Sequence, residues 1–308
     1  MRTLKRMVLA ATLTAAMLPS MAFAEGEKVM TVPGFADFLA ADGLTVWATN
    51  KGKVEHWSRD GKLGEVLMTH PCGAMAIEHG SLWVADCQEG TLNRIDIATS
   101  KLIASIPTGI ANPQGELNVV AGAGSIWVAS DAKGVVSRVD PATNSVIASI
   151  PVDPGTWYMA FGFGSVWAVS ASQQTLQRID PATNSVVGKT PLGKEPGFLA
   201  AGAGGVWVQE QADGTVARVD PDSGKVTGRV KVGDNLKWGD IDVGHNKVWL
   251  RTTDDQVFVV IKGLKIEERV GKAAGSGALR FTDYGLWTTA HDEHTLTWWP
   301  PAVLMAKP

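Results

Sequence analysis

Short apolar segments with a period of two follow one another along the chain, separated by turn residues at regular intervals. Residues 155–194 show the pattern clearly, and its segments are Trp157–Phe161, Ser165–Ser170, Thr175–Ile179 and Ser185–Thr190. Alternation of this kind is typical of half-buried strands, and the spacing leaves no room for a helix of about ten residues. The stretch is therefore predicted to be a four-stranded antiparallel meander.

The meander recurs seven times, and each copy carries a tryptophan in its second segment. The seven are Trp47, Trp83, Trp127, Trp167, Trp207, Trp249 and Trp287, with steps of 36, 44, 40, 40, 42 and 38 residues. A period near forty is typical of units that contain four short strands. One meander cannot bury both faces, so the sequence predicts an all-β fold, a seven-bladed β-propeller of four-stranded antiparallel blades.

The two ends of the chain are predicted to close the ring. The segment Lys28–Gly34 resembles the last strand of a repeat, while the seventh repeat ends after Thr295–Trp299, one strand short. We therefore expect the N-terminal strand to complete the last blade, and residues 25–308 to form one propeller domain.

The heptapeptide Asp-Pro-Ala-Thr-Asn-Ser-Val occurs at Asp140–Val146 and again at Asp180–Val186. Aspartate accepts hydrogen bonds from backbone N–H groups, proline presets φ, and asparagine tolerates the left-handed conformation. This is the chemistry of a hairpin turn on the outer rim, so the repeated motif is interpreted as scaffold rather than as a metal loop.

Residues 1–24 have the features of a secretory signal peptide, with three basic residues before an apolar run and Ala22-Phe23-Ala24 after it. The run of about twelve residues is shorter than a membrane span. Without the leader, 25 basic and 31 acidic residues remain, and this balance argues against a nucleic-acid partner. We expect a soluble, exported monomer, periplasmic or secreted.

The repeats between Gly80 and Lys231 pair segments such as Gly124-Ser-Ile-Trp-Val-Ala-Ser with Arg138-Val-Asp-Pro-Ala-Thr-Asn. They resemble YVTN-type and virginiamycin B lyase-like seven-bladed propellers. The resemblance implies an inner-strand histidine, acidic residues and Mg²⁺ that open a lactone by elimination. Trp207-Val-Gln-Glu210 matches a Trp-x-x-Glu element of that family, but no histidine stands beside an inner-strand glycine, the nearest being His70, so the histidine of that chemistry has no direct match here. Whether a divalent metal such as Mg²⁺ is bound stays open.

Each inner strand is predicted to begin at a glycine around the central channel. These glycines are Gly34, Gly73, Gly115, Gly155, Gly197, Gly239 and Gly277. Counting with period two, the second and fourth positions after each glycine are mostly apolar and should pack between blades, whereas the first and third should face the channel.

The channel-facing positions give the first-choice site, an acidic cluster around one arginine. The predicted catalytic residues are Arg280, Asp240, Asp242 and Glu116, and Asp37, Asn118 and Tyr158 are predicted to bind a ligand with them. A carboxylate would act as general base, and Arg280 would stabilise developing negative charge. The alternative is that these groups only pair with one another and hydrate the channel.

Further candidates lie near the same mouth. Trp157 and Trp238 could stack on a planar ligand or pack between blades, and Glu210 and His291 end strands that carry a repeat tryptophan. His291-Asp-Glu-His294 suggests a metal site only if a turn brings both histidines together, because strand positions three apart face opposite ways.

Cys72 and Cys87 are predicted to form a disulfide in an exported protein. If the hairpin turns at His79-Gly80, the numbers of facing residues sum to 159, as do 72 and 87.

Two functions remain open. The first is a small-molecule binding propeller, a lyase or hydrolase if it is catalytic, with its site at the channel mouth. The second is a non-catalytic propeller that binds a periplasmic protein or a cell-envelope polymer.

Overall fold

The computed structural model describes residues 26–301, and they form seven four-stranded antiparallel sheets. In six sheets the strands follow one another in chain order, and successive inner strands contact each other around a ring. The predicted seven-bladed β-propeller is confirmed. The signal peptide predicted at residues 1–24 lies outside the described residues.

The first strand of the chain is β1 (Lys28–Thr31), which belongs to the last blade. Blade 1 contains β2 (Leu39–Asp42), β3 (Thr45–Asn50), β4 (Lys53–Ser58) and β5 (Gly61–Leu67). Blade 2 contains β6 (Pro71–Glu78), β7 (Ser81–Asp86), β8 (Thr91–Asp96) and β9 (Lys101–Pro107). Blade 3 contains β10 (Val120–Gly122), β11 (Ser125–Asp131), β12 (Val135–Asp140) and β13 (Ser145–Pro151).

Blade 4 contains β14 (Thr156–Gly162), β15 (Ser165–Ser170), β16 (Thr175–Asp180) and β17 (Ser185–Pro191). Blade 5 contains β18 (Pro196–Gly202), β19 (Gly205–Glu210), β20 (Thr215–Val219) and β21 (Val226–Lys231), with a 3₁₀ turn at Gln211–Asp213. Blade 6 contains β22 (Asp240–Gly244), β23 (Lys247–Arg251), β24 (Phe258–Lys262) and β25 (Lys265–Val270). Blade 7 contains β26 (Leu279–Thr282), β27 (Gly285–Ala290) and β28 (Thr295–Trp299), with a 3₁₀ turn at His291–Glu293.

Blade 7 is completed by the N-terminal strand. β1 pairs antiparallel with β28, from Lys28 opposite Trp298 to Thr31 opposite Thr295. The predicted closure is therefore confirmed, and the ring is held shut by backbone hydrogen bonds between the two ends of the described chain. No helix among residues 26–301 has both the length and the apolar character needed to cross a membrane.

The seven repeat tryptophans lie on the second strands and are almost completely buried. Four of them, Trp83, Trp127, Trp167 and Trp207, carry an arginine guanidinium over the ring at 4.8–5.8 Å from the ring centroid. Such cation–π contacts contribute about 0.5–1 kcal/mol each at partly exposed sites.

The arginines over these tryptophans also join neighbouring blades. Arg138 Nη1 donates to the carbonyl oxygen of Pro181 at 2.6 Å and to Asn184 Oδ1 at 2.8 Å, both in the next blade. Arg94 makes the same pair of bonds to Pro141 and Asn144. The repeated heptapeptide is thus a hairpin turn, as predicted, and also the acceptor for the arginine of the preceding blade.

Replacing Arg138 by methionine is expected to lower the free energy of unfolding by about 1–3 kcal/mol. Methionine keeps an apolar stem over Trp127, but the bonds to Pro181 and Asn184 are lost, and hydrogen bonds from a charged donor contribute about 1.5–3 kcal/mol. Urea unfolding measures the change. Lys133→Met, which removes an exposed charge from the same blade, should stay within about 0.5 kcal/mol, and an equal loss in both variants would contradict the inter-blade role.

Candidate functional site

A large cavity lies at the end of the channel where the inner strands begin. It has a volume of about 1160 Å³ and is called the cup below. Its aromatic lining consists of Phe35, Phe38, Tyr158 and Trp238. Its titratable lining consists of Asp37, Lys51, His70, Glu116, His291 and Asp292. A concave site of this size, with aromatic and polar side chains in its lining, is typical of small-molecule binding.

Aromatic rings from three blades meet across the axis beneath the cup. The ring of Phe198 in blade 5 lies 4.5 Å from that of Tyr158 in blade 4 and 5.9 Å from that of Phe38 in blade 1, measured between centroids. Phe38 and Phe198 are both buried. The channel is therefore filled with apolar side chains at this level, and the mouth becomes a pocket with a floor.

Phe38 contradicts the period-two count. As the fourth residue after Gly34 it was expected to pack between blades, yet it contacts Phe198 across the channel. Residues 32–38 precede β2, and the Phe38 backbone N–H donates to Thr49 Oγ1 instead of following regular strand pairing. A count that assumes regular pleating from the glycine onward therefore assigns Phe38 to the wrong side.

Asp37 enters the cup from the segment before β2. Its backbone N–H donates to the Thr49 carbonyl oxygen at 3.0 Å, and its carbonyl oxygen accepts from Thr289 Oγ1 at 2.7 Å. Burial, followed by repulsion from Glu116 and Asp240, raises the pKa of the Asp37 carboxyl to about 8. The backbone is thus fixed to blades 1 and 7, while the side chain is open to the cup.

Glu116 reaches the cup from the loop between β9 and β10. This loop crosses between blades: Ala74 N–H donates to the Leu117 carbonyl oxygen at 2.7 Å, and Asn118 N–H donates to the Trp157 carbonyl oxygen at 3.0 Å. Burial, then the charge of Asp240, raises the pKa of Glu116 to about 7.

Neither carboxyl group of Asp37 and Glu116 accepts a hydrogen bond from any of residues 26–301. Nearby carboxylates such as Asp86 and Glu210 accept several each. Two half-buried acids without donors, with pKa values near neutrality, can exchange protons at physiological pH and can accept hydrogen bonds from a ligand.

Three of the four predicted catalytic residues lie outside the lining of the cup. Arg280 Nη1 lies 2.5 Å from Asp240 Oδ2, and Asp240 also accepts from the backbone of Ile241 and of Leu279 in blade 7. Asp242 accepts from Phe281 N–H of blade 7 at 2.8 Å. The structure brings these charges together as predicted, but their hydrogen bonds tie blade 6 to blade 7. Their catalytic role stays a prediction.

The charge of Arg280 is well compensated. Burial by itself would lower the pKa of the guanidinium, but Asp240 and Asp242 outweigh it and hold the pKa above its usual value. Arg280 is therefore a permanent cation inside a satisfied network.

Two other predicted ligand-binding residues are engaged within the protein. Glu210 is fully buried and makes two hydrogen bonds to Arg229, at 2.8 and 2.9 Å, and one to Thr215. Asn118 is 7% exposed, and its Nδ2 donates to the Met159 carbonyl oxygen at 3.3 Å. Trp157 packs, half-buried, against the apolar cluster of blades 2 and 3.

Trp238 stands at the rim of the cup and is 64% exposed. Its φ of 63° lies in the left-handed region, which is a genuine outlier for a bulky side chain and costs of order 1–3 kcal/mol. The backbone is held there because its carbonyl oxygen accepts from Gly277 N–H at 3.2 Å. The role of Trp238 as a ligand contact stays a prediction.

His291 also lines the cup, where its ring stacks on Phe35 with centroids 3.9 Å apart. Burial lowers its pKa, with Asp292 acting in the opposite direction. The turn that a metal site at His291 and His294 would require is present, as the 3₁₀ turn His291–Glu293. The ring of His294, however, is engaged elsewhere, because its Nδ1 lies 2.9 Å from the carbonyl oxygen of Gly34. Within residues 26–301 no three His, Cys, Asp or Glu side chains are grouped to hold a metal ion.

The predicted disulfide between Cys72 and Cys87 is present, with Cα atoms 5.9 Å apart. Ala76 pairs with Trp83, and their residue numbers sum to 159 as predicted. A register shift lies between Ala76 and Cys72, so Cys72 pairs with Ala85 and not with Cys87. Gly73, with φ of 72°, lies in this irregular stretch. The bridge therefore joins residues that are not directly opposite, and its Cys72 lies with His70 in the wall of the cup.

Arg251 lies behind the cup wall and is completely buried. Its guanidinium donates to the carbonyl oxygens of Thr252, Val257 and Thr289. Burial lowers its pKa to about 10, while Asp292 and Asp37 act in the opposite direction. Its charge thus offsets part of the negative charge of the cup without entering it.

No protein-family model and no curated protein matches the chain. Its fold is similar to virginiamycin B lyase from Staphylococcus aureus, at 14% identity and a TM-score of 0.75 over 89% of this chain and 98% of that one. BamB from Moraxella catarrhalis is similar at 15% identity and a TM-score of 0.63, over 87% and 85% of the two chains. Identities this low show the propeller fold alone.

Proposed function

We propose that the protein binds a small organic molecule in the cup, in contact with Asp37 and Glu116. The observation that carries this proposal is the combination of a floored cavity with two carboxyl groups that no described residue satisfies. Trp238 supports it, because strain of this kind is typically retained at functional positions.

The site also suits acid–base catalysis, and we propose a lyase or hydrolase of the virginiamycin B lyase-like type as the reaction class. At neutral pH Asp37, with the higher pKa, would hold a proton, while Glu116 is more readily ionised. Glu116 would then take a proton from the substrate or from water, and Asp37 would give one to the leaving group. Catalysis would show as turnover that Glu116→Gln abolishes while binding persists.

The place of action is proposed to be the periplasm or the cell exterior. Support comes from the leader-like residues 1–24 and from the Cys72–Cys87 disulfide, since disulfides persist in oxidising compartments.

A second candidate function is a scaffold that binds a periplasmic protein. The opposite end of the propeller presents exposed apolar side chains on its hairpin tips, namely Leu44, Phe163 and Tyr284. Tyr284 of blade 7 lies beside the tip of blade 1, because a Cβ on Gly43 would be 3.8 Å from its ring, but Phe163 belongs to blade 4, on a different part of the ring. The apolar surface is therefore not continuous across this end, and the cup remains the better supported site.

A thermal-shift screen against a library of small organic molecules tests the proposal. Gln114 is exposed and lines the cup, so Gln114→Trp should place an indole beside Glu116 and obstruct a ligand there without disturbing the fold. A ligand at a hundred times its Kd stabilises a protein by about 2.7 kcal/mol, and we expect such stabilisation in the wild type but not in Gln114→Trp.

Lys225→Trp is the matched control, because Lys225 is exposed in an outer turn remote from the cup. It should leave the stabilisation intact. Hits that are unaffected by Gln114→Trp would place the binding elsewhere and overturn the proposal.

A further inference from the structure

We infer that the ligand of the cup is an organic cation, an ammonium group on an apolar body. The inference rests on the proposed function, since it names the class of molecule that the same cavity accepts. It is carried by the charge, the unsatisfied acceptors and the aromatic surfaces of the lining.

The formal charge of the lining is negative. Asp37, Glu116 and Asp292 are acidic, and Lys51, which is exposed at the rim, is the one lysine or arginine in the described lining. The buried arginines nearby do not reverse this balance. Arg280 is matched by Asp240 and Asp242, and Arg251 contributes a single positive charge from behind the wall, against three acidic residues in the lining.

Two carboxyl groups of the cup have no donors. Asp292 accepts from the backbone N–H of Ser276, but the half-buried carboxyl groups of Asp37 and Glu116 are open to the cup and receive no hydrogen bond from residues 26–301. A ligand ammonium supplies both the donors and the opposite charge, and charge-assisted hydrogen bonds are about twice as strong as neutral ones.

Aromatic side chains also line the cup. Phe35 is 48% exposed and Trp238 is 64% exposed, and both stand above the floor formed by Phe38 and Tyr158. A cation within about 6 Å of an aromatic centroid is attracted by the ring quadrupole. The combination of aromatic faces and carboxylates therefore favours an organic cation over an anion or a neutral polar molecule.

A bare metal ion fits less well. Divalent ions need several oxygen or nitrogen ligands around one point, and the described residues contain no group of three such side chains. The volume of about 1160 Å³ also far exceeds the space that one ion occupies.

Binding of a cation should be linked to proton release. Asp37 and Glu116 have pKa values of about 8 and 7 in the free protein, so a ligand that requires their ionised forms displaces protons. Affinity should therefore rise between pH 6 and pH 8. The other titratable or charged groups that face the pair are Lys51, His70, Tyr158, Asp240, Arg251, His291 and Asp292.

Three probes with the same phenyl ring test the inference: phenethylamine, 2-phenylethanol and phenylacetate. Their affinities for the full chain are measured by ligand-observed NMR at pH 6 and pH 8. At pH 8 the amine should bind about tenfold more tightly than the alcohol, since a hydrogen bond to a charged group contributes about 1.5–3 kcal/mol. Phenylacetate should be the weakest.

Asp37→Asn/Glu116→Gln should abolish the preference for the amine and the pH dependence, while the alcohol still binds. Asp222→Asn/Glu89→Gln removes the same formal charge at exposed residues outside the cup and should leave the preference unchanged. Mg²⁺ is added in a parallel series, and competitive displacement of the amine by Mg²⁺ at lower concentration would overturn the inference in favour of a metal.

The outcomes separate this inference from the proposed function. If amine and alcohol bind equally and Gln114→Trp abolishes both, the cup is a small-molecule site and the charge preference is wrong. If the amine binds equally well to Gln114→Trp, or if no probe binds at millimolar concentration, both are overturned.

Discussion

Replacing Asp240 by alanine is expected to lower the free energy of unfolding by about 3–5 kcal/mol, the cost of breaking a buried ion pair from one side. The Arg280 guanidinium loses its partner at 2.5 Å, and the backbone N–H groups of Ile241 and Leu279 lose their acceptor. Leu279 belongs to the next blade, so the substitution also weakens the contact between blades 6 and 7. Guanidinium unfolding, monitored by tryptophan fluorescence, measures the loss.

Two comparisons make this prediction specific. Asp240→Leu/Asp242→Leu/Arg280→Met removes all three charges and should lose less stability than the sum of the single changes, because no charge of the network is left unpaired. Asp222→Ala, at an exposed turn position, should change stability by less than about 0.5 kcal/mol. A loss below about 1 kcal/mol for Asp240→Ala would show that the network is not structural and would favour its predicted catalytic role.

The ring could be predicted from the sequence because its determinants repeat. The tryptophans mark the position of the second strand in every blade, and the Asp-Pro-Ala-Thr-Asn turn marks the hairpin between the third and fourth strands. A missing strand at one end and an extra strand at the other predicted the pairing of β1 with β28. Each signal is local, and its repetition distinguishes it from the variation of individual residues. The tryptophan occurs seven times and the full turn sequence twice.

The cup could be predicted only in part, because the entry segments of the blades are irregular. Asp37, Glu116 and Tyr158 do line the cup, but only Tyr158 belongs to an inner strand, since Asp37 precedes β2 and Glu116 precedes β10. Strand alternation from the glycines therefore describes these positions only in part. It failed for Phe38, and register shifts also occur near the start of β6, β14 and β18. A shift of one residue reverses the face of every following side chain.

The loop that carries Glu116 shows a second limit. Blade 3 has an inner strand of only three residues, and the preceding segment bonds to Ala74 of blade 2 and Trp157 of blade 4. These partners lie about forty residues away on either side, and the local sequence pattern does not predict the contacts with them. Similarly, the meeting of Phe38 and Phe198 across the axis depends on closure of the whole ring.

Asp37→Asn/Glu116→Gln is expected to stabilise the protein at alkaline pH, by about 2 kcal/mol or more, since one pKa unit corresponds to 1.36 kcal/mol. Both acids have raised pKa values in the folded state, about 8 and 7, so the folded protein binds more protons than the unfolded chain between pH 4 and pH 8. Stability must then fall as pH rises through this window. Urea unfolding at pH 5 and pH 9 measures the free energy at both ends.

The amide side chains keep the shape of the protonated acids and cannot ionise, so the gain should be small at pH 5 and largest at pH 9. Asp222→Asn/Glu89→Gln, at exposed positions outside the cup, should give parallel curves with the wild type. A cationic ligand should reverse the order, stabilising the wild type at pH 9 and leaving the double variant unchanged. If the double variant were less stable than the wild type at pH 9 without ligand, the two carboxylates would be acceptors that stabilise the fold. They would then not be groups left without donors for a ligand.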